Sequence, residues 1–432
     1  MSEAVREKKL PGFRKYKPYP AYKDSGVEWL GEVPEHWDCF KLKRVTSLAY
    51  GDSFNAQEHL NGEFNAYGSN GIIGKSYLFN VNGPSIIIGR KGSFGKINYS
   101  EESCFTIDTT FYIDNKLTKA NIRWLYYCLQ ILNLDHFSKD SAVPGLSREE
   151  IYDKDIPYCD VSEQKIIANF LDRETAKIDA LIAKQERLIE LLQEKRTALI
   201  TRAVTKGLDP DVPMKDSGVE WLGEIPAHWK VKPLKAVAFV NPETLAEDTD
   251  PDYEFDYIEI TDVNFDGSIS GKEFMYFNNA PSRAKRKVIQ GDIIISTVRT
   301  YLKAIALIKE SNTRELIVST GFAVLRNKDK GELENEFLWR LVQSSIFVEK
   351  VVSYSEGVSY PAITPYVLGT LPIWFPPPTE QKEIVLFLNR KIGKIDYLTS
   401  KVHKSIELLK EHRTALISAA VTGKIDVRRE VP

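Results

Sequence analysis

Cysteine is scarce and poorly placed for chemistry. The 432 residues hold four, Cys39, Cys104, Cys128 and Cys159, all in the first half and none in a C-x-x-C pair. Neither a disulfide framework nor a thiolate zinc site is expected, and they read as ordinary cytosolic thiols. No uninterrupted apolar run approaches the roughly 18 residues of a membrane span. The stretch from Arg6 to Lys17 is basic but has no apolar core, so it does not read as a signal peptide. A cytoplasmic location with no membrane contact is expected. A global excess of charge is missing too: the net charge is −2, so any nucleic-acid surface must be local.

Catalytic motifs are equally hard to find. Gly68-Ser-Asn-Gly-Ile-Ile-Gly74-Lys75-Ser76 falls short of a phosphate loop, because five residues rather than four separate its outer glycines and it lies in a Gly/Asn/Tyr-rich turn. Asp155-Ile-Pro-Tyr158 lacks the first proline of an amino-methyltransferase tetrad. Pro251-Asp252-Tyr-Glu254 hints at a nuclease carboxylate pair but has no following lysine. The six histidines, His36, His59, His136, His228, His403 and His412, show no metal spacing. No catalytic residue and no metal ligand is assigned.

What is present is a repeat. Glu163–Thr205 recurs as Glu380–Thr422, 217 residues later. Glu163-Gln164-Lys165 matches Glu380-Gln381-Lys382, Lys177-Ile178-Asp179 matches Lys394-Ile395-Asp396, and Arg196-Thr197-Ala198-Leu199-Ile200 matches Arg413-Thr414-Ala415-Leu416-Ile417. Neither copy contains proline, Gly393 is the only glycine, and both are rich in helix formers. Leu171, Ile178, Gln185, Leu192 and Leu199 recur every seven residues, as do Leu388, Ile395, Val402, Leu409 and Leu416. That spacing is a coiled-coil seam. Leu181, Ile182, Leu188, Ile189, Leu398 and Ile406 are expected to widen the apolar stripe. A helix of about 65 Å is too long for one globular core to cover, so the simplest partner for one seam is the other.

A second element repeats at a different offset. Lys23–Trp37 recurs at Lys215–Trp229, 192 residues on, with Ile225 for Val33 and Ala227 for Glu35. The offsets differ by 25, so the segment between tag and helix is 25 residues longer in the second half. Each half is therefore tag, variable segment, helix, and such periodicity implies spatial pseudo-symmetry. Trp29, Trp37, Trp221 and Trp229 read as packing anchors. We place an N-terminal arm at 1–22, a first module at 23–162, a central helix at 163–206, a linker with the second module at 207–379, a C-terminal helix at 380–425 and a tail at 426–432.

The variable segments alternate short β-rich runs with Gly, Asn and Ser turns. Each adds one amphipathic helix candidate, near Asn121–Leu132 and Glu334–Val351, which makes each an α+β domain. Their sequences diverge while the frame repeats, which suits two ligands or two halves of one. Gly89–Lys96 follows a strand-like run and carries Arg90, Lys91 and Lys96 with no acid, together with three glycines that let a backbone come close. Arg283–Lys303 carries Arg283, Lys285, Arg286, Lys287, Arg299 and Lys303 against Asp292 alone. Such cations neutralise phosphates, and arginine forks onto guanine. The DNA-binding candidates are Tyr67, Ser69, Asn70, Arg90, Lys91, Ser93, Lys96, Arg283, Lys285, Arg286, Thr297, Arg299, Tyr301, Lys303, Ser359 and Tyr360. An enzyme with degenerate motifs and a protein-binding scaffold are the rival classes.

The tag Asp-Ser-Gly-Val-Glu-Trp-Leu-Gly-x-x-Pro-x-His-Trp, the Glu-Gln-Lys helix start and the ending His412-Arg-Thr-Ala-Leu-Ile-Ser-Ala-Ala-Val-Thr-Gly-Lys-Ile-Asp426 resemble the specificity subunit of type I restriction-modification systems, from about residue 23 to 427. The resemblance implies two α/β target-recognition domains, each reading half of a bipartite site in double-stranded DNA. It implies that two long repeated helices form an antiparallel coiled coil between them, pseudo-two-fold symmetric. It also implies docking of two methyltransferase subunits and two ATP-dependent restriction subunits, so that S-adenosylmethionine, ATP and Mg belong to those partners and no cofactor is bound by this chain.

Overall fold

The computed structural model describes residues 16–53, 62–136, 145–309, 314–328, 331–357 and 359–430. Most of the N-terminal arm and His59 lie outside them. Two helices, Val161–Lys206 and Pro378–Val421, coincide with the repeated stretches and run about 69 and 66 Å at ~1.5 Å per residue. The Asp160 carboxylate caps the first by accepting the Ser162 and Glu163 amides at 2.9 and 3.1 Å. The second begins with proline, whose missing N–H would have had no helical partner there. The helices end at Gly207 and Gly423, both at φ +72°, the left-handed C-terminal position that glycine takes without strain.

The chain forms two compact units, residues 1–185 with 404–432, and residues 186–403. Each therefore owns half of each long helix. In the first unit, Arg413 donates to Asp179 at 2.9 and 3.3 Å, and Gln185 Nε2 donates to Ser405 Oγ at 3.0 Å. Rising positions on one helix meet falling positions on the other, so the pairing is antiparallel. In the second unit Arg196 faces Asp396 at 3.6 Å and Gly207 lies against Glu380, again antiparallel. Leu171, Ile178, Leu388, Ile395, Leu409 and Leu416 are buried, while Gln185, Leu192, Leu199 and Val402 are half-buried. Ile189 and Ile406 join this seam, but Leu181, Leu188 and Leu398 stay 43–50% exposed. The stripe is narrower than expected because a two-helix seam covers only two rows of each heptad.

The tags repeat because each grips two helix ends. In the first unit Glu163, 3% exposed, accepts the Tyr19 hydroxyl at 2.8 Å and pairs with His36 Nε2 at 2.9 Å. In the second, Glu380 pairs with His228 Nε2 at 2.6 Å and accepts Trp229 Nε1 at 3.1 Å. The neighbouring glutamines, both fully buried, staple helix to module: Gln164 bonds Cys159 O and the Asn121 amide, and Gln381 bonds Pro376 O and the Glu334 amide. Each tag also holds the end of the partner helix: Lys424 Nζ donates to Glu32 O in the first unit and Lys206 Nζ to Glu224 O in the second. These acceptors are equivalent in the tag although the sequence reads Lys-Gly after the first helix and Gly-Lys after the second. Trp37 and Trp229 are buried, Trp29 is half-exposed, and Trp221 packs edge-on against Trp374.

The modules share one topology. In the first, a four-stranded antiparallel sheet runs in the order Ala49–Tyr50, Thr110–Asp114, Ser85–Gly89, Ile97–Ser100; in the second the order is Ala238–Val240, Phe322–Asn327, Ile293–Ser296, Ile305–Leu307. Ile86 and Ile88 pack into the core shared with the helices, while Ile87 faces a second cluster with Tyr67 and Val81. Ile293 and Ile295 are divided from Ile294 in the same way. Burial on both faces is why these strands read as unbroken isoleucine runs; each buried side chain stabilises the fold by roughly 1.5–3 kcal/mol. A second sheet places Phe64–Gly68 between antiparallel Gly71–Ser76 and parallel Phe105–Thr106. Its counterpart places Glu254–Ile258 between antiparallel Glu273–Tyr276 and parallel Leu316–Ser319, with Ala284–Val288 added beyond.

Two further differences separate the modules. Where the first turns on Ser69-Asn70, the second runs through a longer connection from Glu259 to Lys272, which takes up about half of the 25-residue excess. The second amphipathic candidate is two helices, Asn335–Val342 and Ser345–Ser353, because the Ser344 hydroxyl accepts the Phe347 amide and starts a new helix. The first is a single helix, Ile122–Gln130, capped by Asn121.

Candidate nucleic-acid interface

Equivalent strands deliver the two basic loops to equivalent places. In the second unit, Ile293–Ser296 ends at Thr297, whose hydroxyl donates to Gly321 O at 3.0 Å inside the fold. The chain then takes left-handed backbone at Arg299 (φ 53°) and Lys303 (φ 54°), on either side of the short turn Thr300–Leu302. Two non-glycine residues in this region cost of order 1–3 kcal/mol each, and such strain clusters at ligand sites. The surroundings hold the turn in place. Arg299 N–H donates to Pro361 O at 2.9 Å, and the Thr300 and Ser355 hydroxyls meet at 2.9 Å. The Arg299 guanidinium lies 4.8 Å from the Tyr360 ring centroid and the Lys303 ammonium 5.7 Å from that of Phe265. Tyr301 and Tyr360 are more than half exposed. A cleft of about 330 Å³ opens beside this loop, with Glu259, Thr261, Arg283, Arg299, Thr320 and Tyr360 in its wall.

In the first unit the corresponding loop starts at Arg90, directly after Ser85–Gly89. Its guanidinium lies 5.0 Å from the Tyr50 ring centroid and donates to Asp108 O at 2.9 Å. Arg148 approaches Tyr50 to 4.4 Å, so one half-exposed ring meets two arginines. Lys96 Nζ donates to Asn70 Oδ1 at 2.8 Å and Ser69 Oγ to Thr109 O at 2.8 Å. Lys91 and Ser93 are exposed. The glycines bring the protein's own backbone close: a Cβ on Gly89 would lie 2.5–2.6 Å from the Ser93 and Ser69 carbonyls, and one on Gly95 2.4 Å from Leu134.

Ser69, Asn70, Arg90 and Lys96 thus form one site, and Arg283, Arg299 and Tyr360 another, with Tyr301, Lys303 and Ser359 exposed on the loops beside it. Tyr67, 6% exposed, lies in the interior, and burial raises the pKa of its phenol. Lys285 and Arg286 belong to the added strand; Lys285 sits over Phe277, and Arg286 donates to Thr244 Oγ1 with its charge disfavoured by burial. Tyr50, Arg148 and Glu259 were not expected. Tyr50 and Arg148 meet across nearly a hundred residues with no local pattern, whereas Glu259 ends a strand-like run that mirrors the one before Ser69 and could have been compared with it. Among the described residues no group of three or more His, Cys, Asp or Glu is placed to hold a metal ion, and no helix is long and apolar enough to cross a membrane.

Two modules of one topology are built on repeated helices and carry equivalent cationic loops with different side chains. Residues 34–191 and 226–408 match the family model described as the type I restriction modification DNA specificity domain, and the chain belongs to that family. It is similar to the type I restriction enzyme MjaVIII specificity subunit of Methanocaldococcus jannaschii, 23% identical over 427 residues, covering 92% of this chain and 94% of that one. It is also similar to the EcoDI specificity subunit of Escherichia coli, 21% identical over 416 residues, covering 91% and 90%. A chain from a structural study of complex assembly and conformational transition in a type I R-M system has the same fold, with TM-score 0.64 at 15% identity over 91% of this chain and 99% of that one. This chain is a non-catalytic specificity component, and its role is DNA sequence specificity.

Proposed function

We propose that this protein reads a bipartite target in double-stranded DNA, one half with each module, and presents its long helices to methyltransferase and restriction subunits, two of each. S-adenosylmethionine, ATP and Mg act on those partners; this chain contributes no chemistry and works in the cytoplasm. The observation that carries the reading is the pair of arginines held over tyrosine rings, Arg90 at Tyr50 and Arg299 at Tyr360, presented after equivalent buried strands. A guanidinium already held beside a ring loses less freedom when it meets a guanine than an unrestrained one would. The modules differ in the side chains around these arginines, as two readers of unrelated half-sites must.

The test is sequencing of methylated DNA from a host that expresses the chain with its methyltransferase. Arg90→Ala is expected to relax one half of the methylated motif and Arg299→Ala the other, at about 1–3 kcal/mol of lost discrimination each. If both variants altered the same half, or neither altered the motif, the division of labour would be wrong.

A further inference from the structure

The cleft of the second module contains a carboxylate, and its position calls for a physical reason. Glu259 sits at the end of Glu254–Ile258 and is fixed there. Its amide donates to Asp262 Oδ2 at 2.7 Å, and its side chain accepts the Asp262 amide in return. From this anchored turn it holds Arg283. Arg283 Nε donates to Glu259 Oε1 at 3.0 Å and Nη2 donates to the same oxygen. The buried Tyr257 hydroxyl stands 3.3 Å from that oxygen. The Arg283 carbonyl is pinned as well, accepting the Thr320 amide at 2.7 Å. The arginine is thus fixed at its backbone and along one edge of its guanidinium. Its side chain remains 56% exposed in the wall of the cleft.

Two considerations separate this pair from an ordinary surface ion pair. A pair this exposed adds little to stability, so fold maintenance does not account for it. A carboxylate beside a DNA-facing loop also repels phosphates and lowers affinity for every sequence alike. The feature is specific to this module, because the equivalent turn of the first is Ser69-Asn70, with no acid.

We infer that Arg283 reads a guanine in the second half-site and that Glu259 is the positioning residue that makes this reading selective. Glu259 orients the guanidinium toward the base edge and keeps it from swinging onto a neighbouring phosphate. The inference rests on the DNA-reading role proposed above. A carboxylate that restrains an arginine exchanges general affinity for discrimination, which a purely structural pair would not do.

The experiment uses the full chain assembled with its methyltransferase, the methylated motif as one readout and binding to a non-cognate duplex at fixed salt as the other. With Glu259→Gln, discrimination at one position of the second half-site is expected to fall tenfold or more. The first half-site should be unchanged and non-cognate affinity should rise. Arg283→Met should relax the same position. Adding Glu259→Gln to Arg283→Met should then relax it no further, because Glu259 acts through Arg283. An unchanged motif in Glu259→Gln, relaxation at a different position from Arg283→Met, or a parallel fall in cognate and non-cognate binding would overturn the inference. A parent complex that bound neither duplex would instead overturn the DNA-reading role itself.

Discussion

Arg413 and Arg196 occupy the same position in the two copies of the repeated helix, and so do their partners Asp179 and Asp396. Their surroundings differ. Arg413 forks onto Asp179 in a solvated pair with side chains 29% and 51% exposed. Arg196 is 6% exposed and gives a hydrogen bond to Asp266 O at 2.7 Å, while its Nε stands 3.6 Å from Asp396, an ion-pair contact too long for a hydrogen bond. Beside it lies a second buried guanidinium, Arg340, which donates to the amide oxygens of Gln343 and Asn389 and lies 3.9 Å from the Trp339 ring centroid. Burial, and then the charge of Arg196, push its pKa down to about 10. Both neighbours come from the second module: its long Glu259–Lys272 connection brings Asp266 to Arg196, and its helix Asn335–Val342 brings Arg340. Identical residues in a repeated frame thus acquire different energetics from the module grafted beside them.

The largest expected contrast lies at the helix starts. Glu163 is enclosed by Tyr19 and His36, whereas the Glu380 side chain is 27% exposed. Glu163→Ala strands the buried Tyr19 hydroxyl and leaves His36 unpaired, and is expected to cost roughly 2–3 kcal/mol; Glu380→Ala strands the buried Trp229 Nε1 but at a more solvated carboxylate, and is expected to cost about 1–2 kcal/mol. Native-state hydrogen exchange, which reports on each unit separately, measures both; equal losses would mean that the two clips are energetically alike. Next comes the seam. Arg196→Ala should cost about 2 kcal/mol, less than the full loss of a buried pair because the half-exposed Asp396 can rehydrate, while Arg413→Ala should cost below ~1 kcal/mol. A reversed order would show that the solvated fork is the stronger restraint.

The smallest effect concerns pH. Burial raises the Asp396 pKa, and Arg196 offsets this only in part. A carboxyl whose folded pKa lies above its unfolded value favours the fold while protonated. Its contribution is therefore fully present below the ordinary aspartate pKa and is lost as pH rises through the raised value. Asp396→Asn cannot titrate, so its stability relative to the parent should increase across that window in thermal scans from about pH 3 to pH 6. A parallel pH dependence in the two proteins would show that Asp396 is not destabilised by burial.

How much of this was legible in the sequence depended on the range of the interaction. The long helices and their seam could be read because the period-seven pattern is local and occurs twice, whereas their antiparallel pairing was implied by the family resemblance. The tags could be found but not explained: that His36 meets Glu163 and Lys424 meets Glu32 requires the fold. The common topology of the modules was hidden, since matching strands share little beyond buried isoleucine. Of the candidate site, Arg90, Lys96 and Arg299 could be picked out as cations after apolar runs. Tyr67 could not be told from an exposed tyrosine, because in a short strand the inward face depends on which sheet covers it. The exposed Leu181, Leu188 and Leu398 were assigned inward for the same reason, since leucine beside a seam does not itself say which rows are covered.

The division of each long helix between two compact units bears on how the protein is made. Residues 186–403 are continuous in sequence, so that unit can close as soon as it leaves the ribosome. The other requires residues 404–432 to seal a module built from residues 1–185: the Tyr22 hydroxyl donates to Gly423 O, and Lys17 O receives the Asp426 amide. At roughly 5–20 residues per second, translation of the intervening segment imposes a delay of about 10–40 s. During that time the first module exposes apolar surface that only the last turns of the second helix, Leu416, Ile417, Ala420 and Val421, will cover. Of the two modules, the one whose residues come first is therefore the last to be completed.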